Sequence, residues 1–266
     1  MMVNDRTFAK KTLMYTDSHT HLYDEQLTAD PDQITRALKA GVTKMYMPNC
    51  DQHTIAGMLA LADQYPQNCM AMMGLHPCYV KADYTTELDI VAQWLEKRKF
   101  AAIGEIGLDY YWDMTYKEQQ IIAFEQQIDW ALQYNLPIVI HSRESTPDCI
   151  DIVRRKQNGN LRGIFHCFSG TAAEAKSVTD LGFLLGIGGV VTYKKSTLPA
   201  VLEQVSLQNI VLETDAPYLA PTPYRGKRNE SSYIPVIAAK IAEIKQCSME
   251  EVAAITSENC NVLFAQ

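Results

Sequence analysis

The chain has 266 residues, 47% of them hydrophobic and 21% charged, an ordinary globular balance with ample apolar material for a core. A net charge of −7 excludes a broad basic footprint for nucleic acid, although a local basic loop and bound divalent cations can still meet phosphate. No stretch approaches the roughly 18 apolar residues of a membrane span.

Residues 1–13 are polar and basic and lack the apolar run of a signal peptide. Residues 1–14 are therefore expected to form a flexible arm, and 15–266 a single cytoplasmic domain with no membrane association. Leu13 to Thr16 is read as the first strand, leading through Asp17 and Ser18 to His19 and His21. A helix follows, with Asp30 placed to cap it, Pro31 at its first position and Gly41 just past its end. Val42 to Met47 is the second strand, and 54–65 carries Ile55, Met58, Leu59 and Ala62 at helical spacing. Cys69 to Met73 is the third strand, ended by Gly74-Leu75-His76-Pro77, and a helix spans 86–99. Ala101 to Glu105 is the fourth. Residues 115–134 repeat Ile121, Phe124, Ile128 and Ala131 as an amphipathic helix requires. Leu136 to Ile140 ends in His141, a helix covers 146–157, and Gly163 to Phe165 ends in His166. Thr171 and Glu174 have capping-box spacing at the start of the next helix. Phe183 to Ile187 is the seventh strand. A short helix near 197–204 leads to Ile210 to Leu212, which ends in Glu213, Thr214 and Asp215. Helices over about 232–245 and 249–256 and a last turn at 259–264 complete the chain.

Eight strands thus alternate with helices. They are apolar on consecutive positions, as parallel strands covered on both faces must be. The expected class is α/β, a (β/α)8 TIM barrel with additional C-terminal helices. The seven cysteines are odd in number and include no CxxC, so free thiols are expected rather than a disulfide framework.

In a barrel the C-terminal strand ends converge on one face. That topology would gather His19, His21, His76, Glu105, His141, His166 and Asp215, including five of the six histidines. A carboxylate such as Glu105 at the end of a buried strand needs a cation or a donor. Imidazole suits zinc and its neighbours, while carboxylate also admits magnesium and manganese. His19 and His21, two apart in an extended segment, point the same way. Six ligands exceed one tetrahedral site, so two divalent ions (Mg, Mn or Zn) are expected. His19, His21 and Asp215 would hold one and His141 and His166 the other, with Glu105 bridging. Such a pair suits hydrolysis, with Asp215 doubling as proton acceptor and His76 placed at the substrate. Singly, each residue has a plainer reading: a loop histidine before Pro77, core histidines, or a Glu105–Arg143 ion pair. Placing all of them at strand ends is what favours metal. Cys167 is a further candidate ligand. Arg143, and Arg225 and Arg228 in the loop 221–233, are candidate phosphate clamps, the alternative being a solvated basic loop. Tyr110, Tyr111 and Trp112 either stack on bases or pack beneath a loop. Asp109 is read as an acceptor that orients a ligand histidine, with Gly104 and Gly107 keeping the backbone small around Glu105.

The segments DSHTHL (17–22), GLHP (74–77), GEIGLDYY (104–111), HSRE (141–144), HCFSG (166–170), ETDAPYL (213–219) and PYRGKRNE (223–230) occur in an order that resembles the TatD family of metal-dependent hydrolases, within the amidohydrolase-like barrels. The resemblance covers residues 15–264. It implies a two-metal site on His19, His21, Glu105, His141, His166 and Asp215, a functional His76, and deoxyribonuclease activity. It further implies 3′–5′ exonuclease action on single-stranded DNA, with RNA as a possible substrate. No obligate protein partner is expected from the sequence. An ester or amide hydrolase such as a D-aminoacyl-tRNA deacylase is the alternative among enzymes. A non-catalytic metal- or nucleic-acid-binding barrel is the alternative of another class. Ser231 stands where the family often has proline, and the N-terminal extension is longer than usual; neither touches the expected ligands.

Overall fold

A computed structural model of the chain describes residues 13–265. The arm expected over 1–14 lies outside the described residues apart from Leu13 and Met14. The strands are β1 (Tyr15–Asp17), β2 (Val42–Pro48), β3 (Cys69–Met72), β4 (Ile103–Asp109), β5 (Ile138–Arg143), β6 (Gly163–Phe165), β7 (Leu184–Ile187) and β8 (Ile210–Leu212). Strands β1 to β3 form one parallel sheet and β4 to β8 a second, each in chain order. Isolated parallel bridges join the sheets at both seams, Met73 with Ile103 and Thr20 with Ala216. Backbone bonds cross the seams: the Gly104 N–H to the Met73 carbonyl at 3.0 Å and the Ser18 N–H to the Leu212 carbonyl at 2.9 Å. The architecture is the α/β TIM-barrel-like one that the alternation predicts.

The helices are α1 (Glu25–Thr28), α2 (Gln33–Lys39), α3 (Ile55–Gln64), α4 (Tyr84–Lys97), α5 (Lys117–Tyr134), α6 (Thr146–Lys156), α7 (Ala172–Asp180), α8 (Leu198–Leu202), α9 (Ile234–Lys245) and α10 (Met249–Phe264). The capping boxes of Thr171 with Glu174 and Ser248 with Glu251 open α7 and α10. Three readings are corrected. α1 is a single turn missed for want of periodicity, held by the Asp24 side chain accepting from the Gln26 N–H. α2 starts later than expected, at Gln33, so Asp30 caps the turn ahead of it, its carboxylate accepting the Asp32 N–H at 3.1 Å while also receiving Arg36 and Arg228. α10 runs unbroken where a helix and a separate turn were expected.

Both faces of the strands are buried, which accounts for the consecutive apolar residues. In β2, Met45 and Met47 join the large cluster shared with the helices. Tyr46 between them joins Met72, Val139, Ile164 and Val211 in a second cluster, with Leu263 and Phe264 from the end of α10. The Tyr46 and Phe264 rings stack at 3.9 Å. The C-terminal helix therefore contributes to the core as well as to the surface.

β4 and β5 run further than expected. Glu105 and His141 look like strand terminators in sequence, yet both lie inside ladders that pair as far as Asp109 with Arg143. The register shifts between Ile103 and Ile106, where three steps on β4 face the two steps from Ile138 to Ile140 on β5. Glu105 sits in this irregular stretch, and an extra residue of this kind re-aims a side chain. Its N–H is bound by the Asn49 carbonyl at 3.1 Å.

Candidate metal centre

Glu105 is the hub, with only 2% of its surface exposed. Its two oxygens divide the surrounding imidazoles. Oε2 lies 3.1 Å from His19 Nε2 and 3.6 Å from His21 Nε2. Oε1 lies 2.7 Å from His166 Nε2, 2.9 Å from His141 Nδ1 and 3.3 Å from His76 Nε2. Asp215 Oδ1 completes the first group, 3.7 Å from His19 Nε2 and 3.4 Å from His21 Nε2. Asp215 holds φ at +55°, in the left-handed region that non-glycine residues rarely adopt and that is concentrated at functional sites. All seven residues that the sequence reading gathered are brought together.

Neighbouring groups set the ring tautomers. The Tyr23 hydroxyl donates to the Pro48 carbonyl at 2.5 Å and so accepts from His21 Nδ1 at 2.9 Å. In the neutral ring the His21 Nε2 lone pair is then left facing Glu105 and Asp215; without an ion, burial pushes the ring down but Cys50 and the hydrogen bond with Asp215 outweigh it and raise the imidazole, so that a proton stands in for the cation. Asp109 Oδ2 accepts from His141 Nε2 at 2.8 Å, which leaves the His141 Nδ1 lone pair facing Glu105. Lone pairs aimed at a buried carboxylate are unfavourable without a cation between them. His76 is wired the other way. Its Nδ1 accepts the Cys78 N–H at 3.1 Å, so the neutral ring carries its proton on Nε2 and is a donor to the centre.

The donor set fits a metal. His19 Nε2, His21 Nε2 and Asp215 Oδ1 stand 3.3, 3.4 and 3.7 Å apart. Ligands bound tetrahedrally at about 2.0–2.1 Å lie about 3.3–3.4 Å from one another. His166 Nε2 and His141 Nδ1 are 3.4 Å apart. Charge follows the same pattern. Burial pushes the Glu105 carboxyl up, but the imidazoles of His166, His76 and His19 outweigh it and hold Glu105 well below the usual carboxylate range. For Asp215, burial is likewise outweighed, first by the hydrogen bond with His21. His19 and His76 are pushed down, chiefly by burial.

The other expected residues have diverse places. Arg143 lies over the Tyr111 ring at 3.8 Å and makes no ion pair with Glu105. Arg225 lies over the Tyr193 ring at 4.4 Å. Arg228 departs from the clamp reading: its guanidinium donates to the Asp30 carboxylate and the Gln26 carbonyl, both at 2.7 Å, so both ends of the fork are committed within the protein. Cys167 is in none of the ligand groupings; its N–H donates to Glu213 Oε1 at 2.5 Å, and burial pushes its thiol up. Tyr110 donates to Asp148 at 2.8 Å.

Several residues escaped sequence reasoning. Tyr23 sets the His21 tautomer. Asp17 accepts the Thr214 N–H at 3.0 Å and the Thr214 hydroxyl at 2.6 Å, tying the strand of His19 to that of Asp215. Burial pushes its carboxyl up to about 7 against these hydrogen bonds. Asn49 spans the seam, donating to the Gly74 carbonyl at 2.8 Å while binding the Glu105 backbone. Glu213 is fully buried, with Oε1 3.7 Å from His166 Nδ1. Glu213 carried a legible signal, a carboxylate ending an apolar run as Glu105 seemed to; Asn49 and Tyr23 carried none.

A parallel TIM-barrel-like α/β fold with imidazoles and carboxylates focused at its C-terminal strand ends defines a metal-dependent hydrolase. The family model described as TatD related DNase matches residues 16–265, and the chain belongs to the TatD family. It is 38% identical over 257 residues to the uncharacterized metal-dependent hydrolase YabD of Bacillus subtilis (strain 168), covering 94% of this chain and 99% of that one. The crystal structure of the TatD homologue YjjV from Escherichia coli K12 matches with a TM-score of 0.89 at 30% identity, over 95% of this chain and 98% of that one. A TatD family hydrolase from Entamoeba histolytica shares the fold, with a TM-score of 0.83 at 22% identity over 96% of this chain and 99% of that one. Among the described residues, no helix is long and apolar enough to cross a membrane.

Proposed function

We propose that the chain is a two-metal deoxyribonuclease, hydrolysing phosphodiester bonds of single-stranded DNA from the 3′ end, with RNA as a further substrate. One observation carries this reading: the two oxygens of Glu105 face two separate ligand groups, as a bridging carboxylate requires. His19, His21 and Asp215 would hold one ion, and His141 and His166 the other. When bound by these residues, divalent ions would supply a water of lowered pKa and positive charge to offset that building on a phosphoryl oxygen.

The chain's own groups supply the rest. Asp215 would be the proton acceptor for the attacking water, because its carboxylate faces the centre beside His19 and His21. His76 presents Nε2–H to a phosphate oxygen, held in that tautomer by the Cys78 N–H. Arg143 stands at the mouth with no carboxylate partner among the described residues, free to meet a phosphate. The description of the family model, TatD related DNase, agrees with this substrate.

The test is release of mononucleotides from single-stranded DNA across Mg, Mn and Zn. Activity should require metal and disappear in Glu105→Ala. A variant that digests as fast as wild type assigns the activity to a contaminant. Turnover of aminoacyl esters but no DNA would redirect the reading to ester hydrolysis.

A further inference from the structure

Resting on the nuclease reading, we infer that Tyr111, Trp112 and Arg143 form a base-stacking subsite, placed in fixed register to the metal centre, that holds a nucleobase of the strand being cut. Tyr111 is 50% and Trp112 68% exposed, so neither ring packs beneath a loop. They meet edge to face, with centroids 5.0 Å apart at 84°. The Arg143 guanidinium lies 3.8 Å from the Tyr111 centroid and 5.2 Å from that of Trp112. Exposed aromatic rings beside a cation that lacks a carboxylate partner among the described residues suit a flat π-system attached to an anionic backbone.

The register comes from one carboxylate. Asp109 Oδ1 accepts the N–H groups of Tyr111 at 3.0 Å and Trp112 at 2.9 Å. Its Oδ2 accepts from His141 Nε2 at 2.8 Å. Arg143 stands two residues beyond His141 on β5, and its backbone pairs with Asp109. The aromatic pair, the cation and the imidazole are thus fixed through adjoining strands. A base seated on the rings would set which phosphate reaches Glu105.

The test uses the full chain with two single-stranded oligonucleotides of equal length and charge, one with bases and one abasic. Binding is followed by the fluorescence anisotropy of a label on the strand in the presence of a chelator, so nothing is cut. The base-bearing strand should bind at lower concentration than the abasic strand, and Trp112→Ala should remove that difference. In turnover with metal, Trp112→Ala should raise KM for the base-bearing strand about tenfold with kcat little changed, the loss expected from one stacked base. Trp112→Phe should recover most of the loss. Equal binding of the two strands by wild type, or an unchanged KM in Trp112→Ala, overturns the subsite while leaving the nuclease intact. Cleavage of neither strand under any metal is the distinct signature of a failed nuclease reading, and it removes the subsite with it.

Discussion

Asp109→Asn isolates the tautomer logic of the centre. The two oxygens of Asp109 are not equivalent. Oδ1 accepts the backbone N–H groups of Tyr111 and Trp112, whereas Oδ2 accepts from His141 Nε2. Only the carbonyl oxygen of asparagine can replace Oδ1, because an amide NH2 accepts nothing. The NH2 is therefore forced toward Nε2, donor against donor. His141 escapes by moving its proton to Nδ1, the atom 2.9 Å from Glu105 Oε1. The lone pair that faced the centre is then lost. Loss of an outer acceptor to a ligand histidine typically costs 10–100-fold in metal affinity or activity, about 1.4–2.7 kcal/mol. Tautomer inversion should place Asp109→Asn at the upper end. Competition with a chromogenic chelator reads the affinity, and the metal-free melting temperature checks that the fold survives. Metal affinity within about twofold of wild type would refute the argument, because the carboxylate would then not be setting the ring.

Gly107→Ala should destabilise strongly, since Gly107 holds φ at +136° and an added Cβ would stand 2.1 Å from the His141 carbonyl oxygen; with about 3 kcal/mol lost to clash and strain, the melting temperature should fall by about 5–10 °C. Arg228→Ala should lower the melting temperature by a few degrees and leave KM for DNA unchanged; a clear rise in KM would restore Arg228 as a phosphate clamp. The Arg36–Glu230 pair should show in acid. Burial raises the Glu230 carboxyl, but the hydrogen bonds from Arg36 and Ser232 outweigh it and bring it below its ordinary 4.5. A depressed carboxylate contributes stability that is present above the unfolded pKa and lost as pH falls through the folded one. The melting temperature should therefore decline below about pH 4.5. That decline should be shallower in Arg36→Ala, and parallel curves would show that the pair adds nothing.

Much of this molecule is determined by the sequence alone. Short consecutive apolar runs of β-branched and sulphur-bearing residues, broken by polar and glycine residues, fit parallel strands covered on both sides. Eight of them alternating with amphipathic helices leave few topologies. A histidine or carboxylate where such a run breaks off is costly unless something meets it, so the residues of the centre were legible one strand at a time. The tertiary structure decided how they meet. Glu105 and His141 read as strand ends, yet the strands continue past them, because imidazoles from β1, β3 and β6 compensate the carboxylate that would otherwise terminate β4. Glu105 stands where the register of β4 shifts against β5, an irregularity that no local pattern encodes. Asn49 and Asp17 act through hydrogen bonds to Gly74 and Thr214, distant in sequence, and Tyr23 can orient His21 only because the Pro48 carbonyl takes its proton, so their roles are not marked in their own segments. Arg228 shows the converse: it stands in a basic loop that suggests phosphate, but folding brings Asp30 to it from almost 200 residues away and commits its charge to the protein. Burial and periodicity are local properties of a chain and can be read from it. Partnership between distant polar groups is set by the packing of whole strands, and it exists only once the chain has folded.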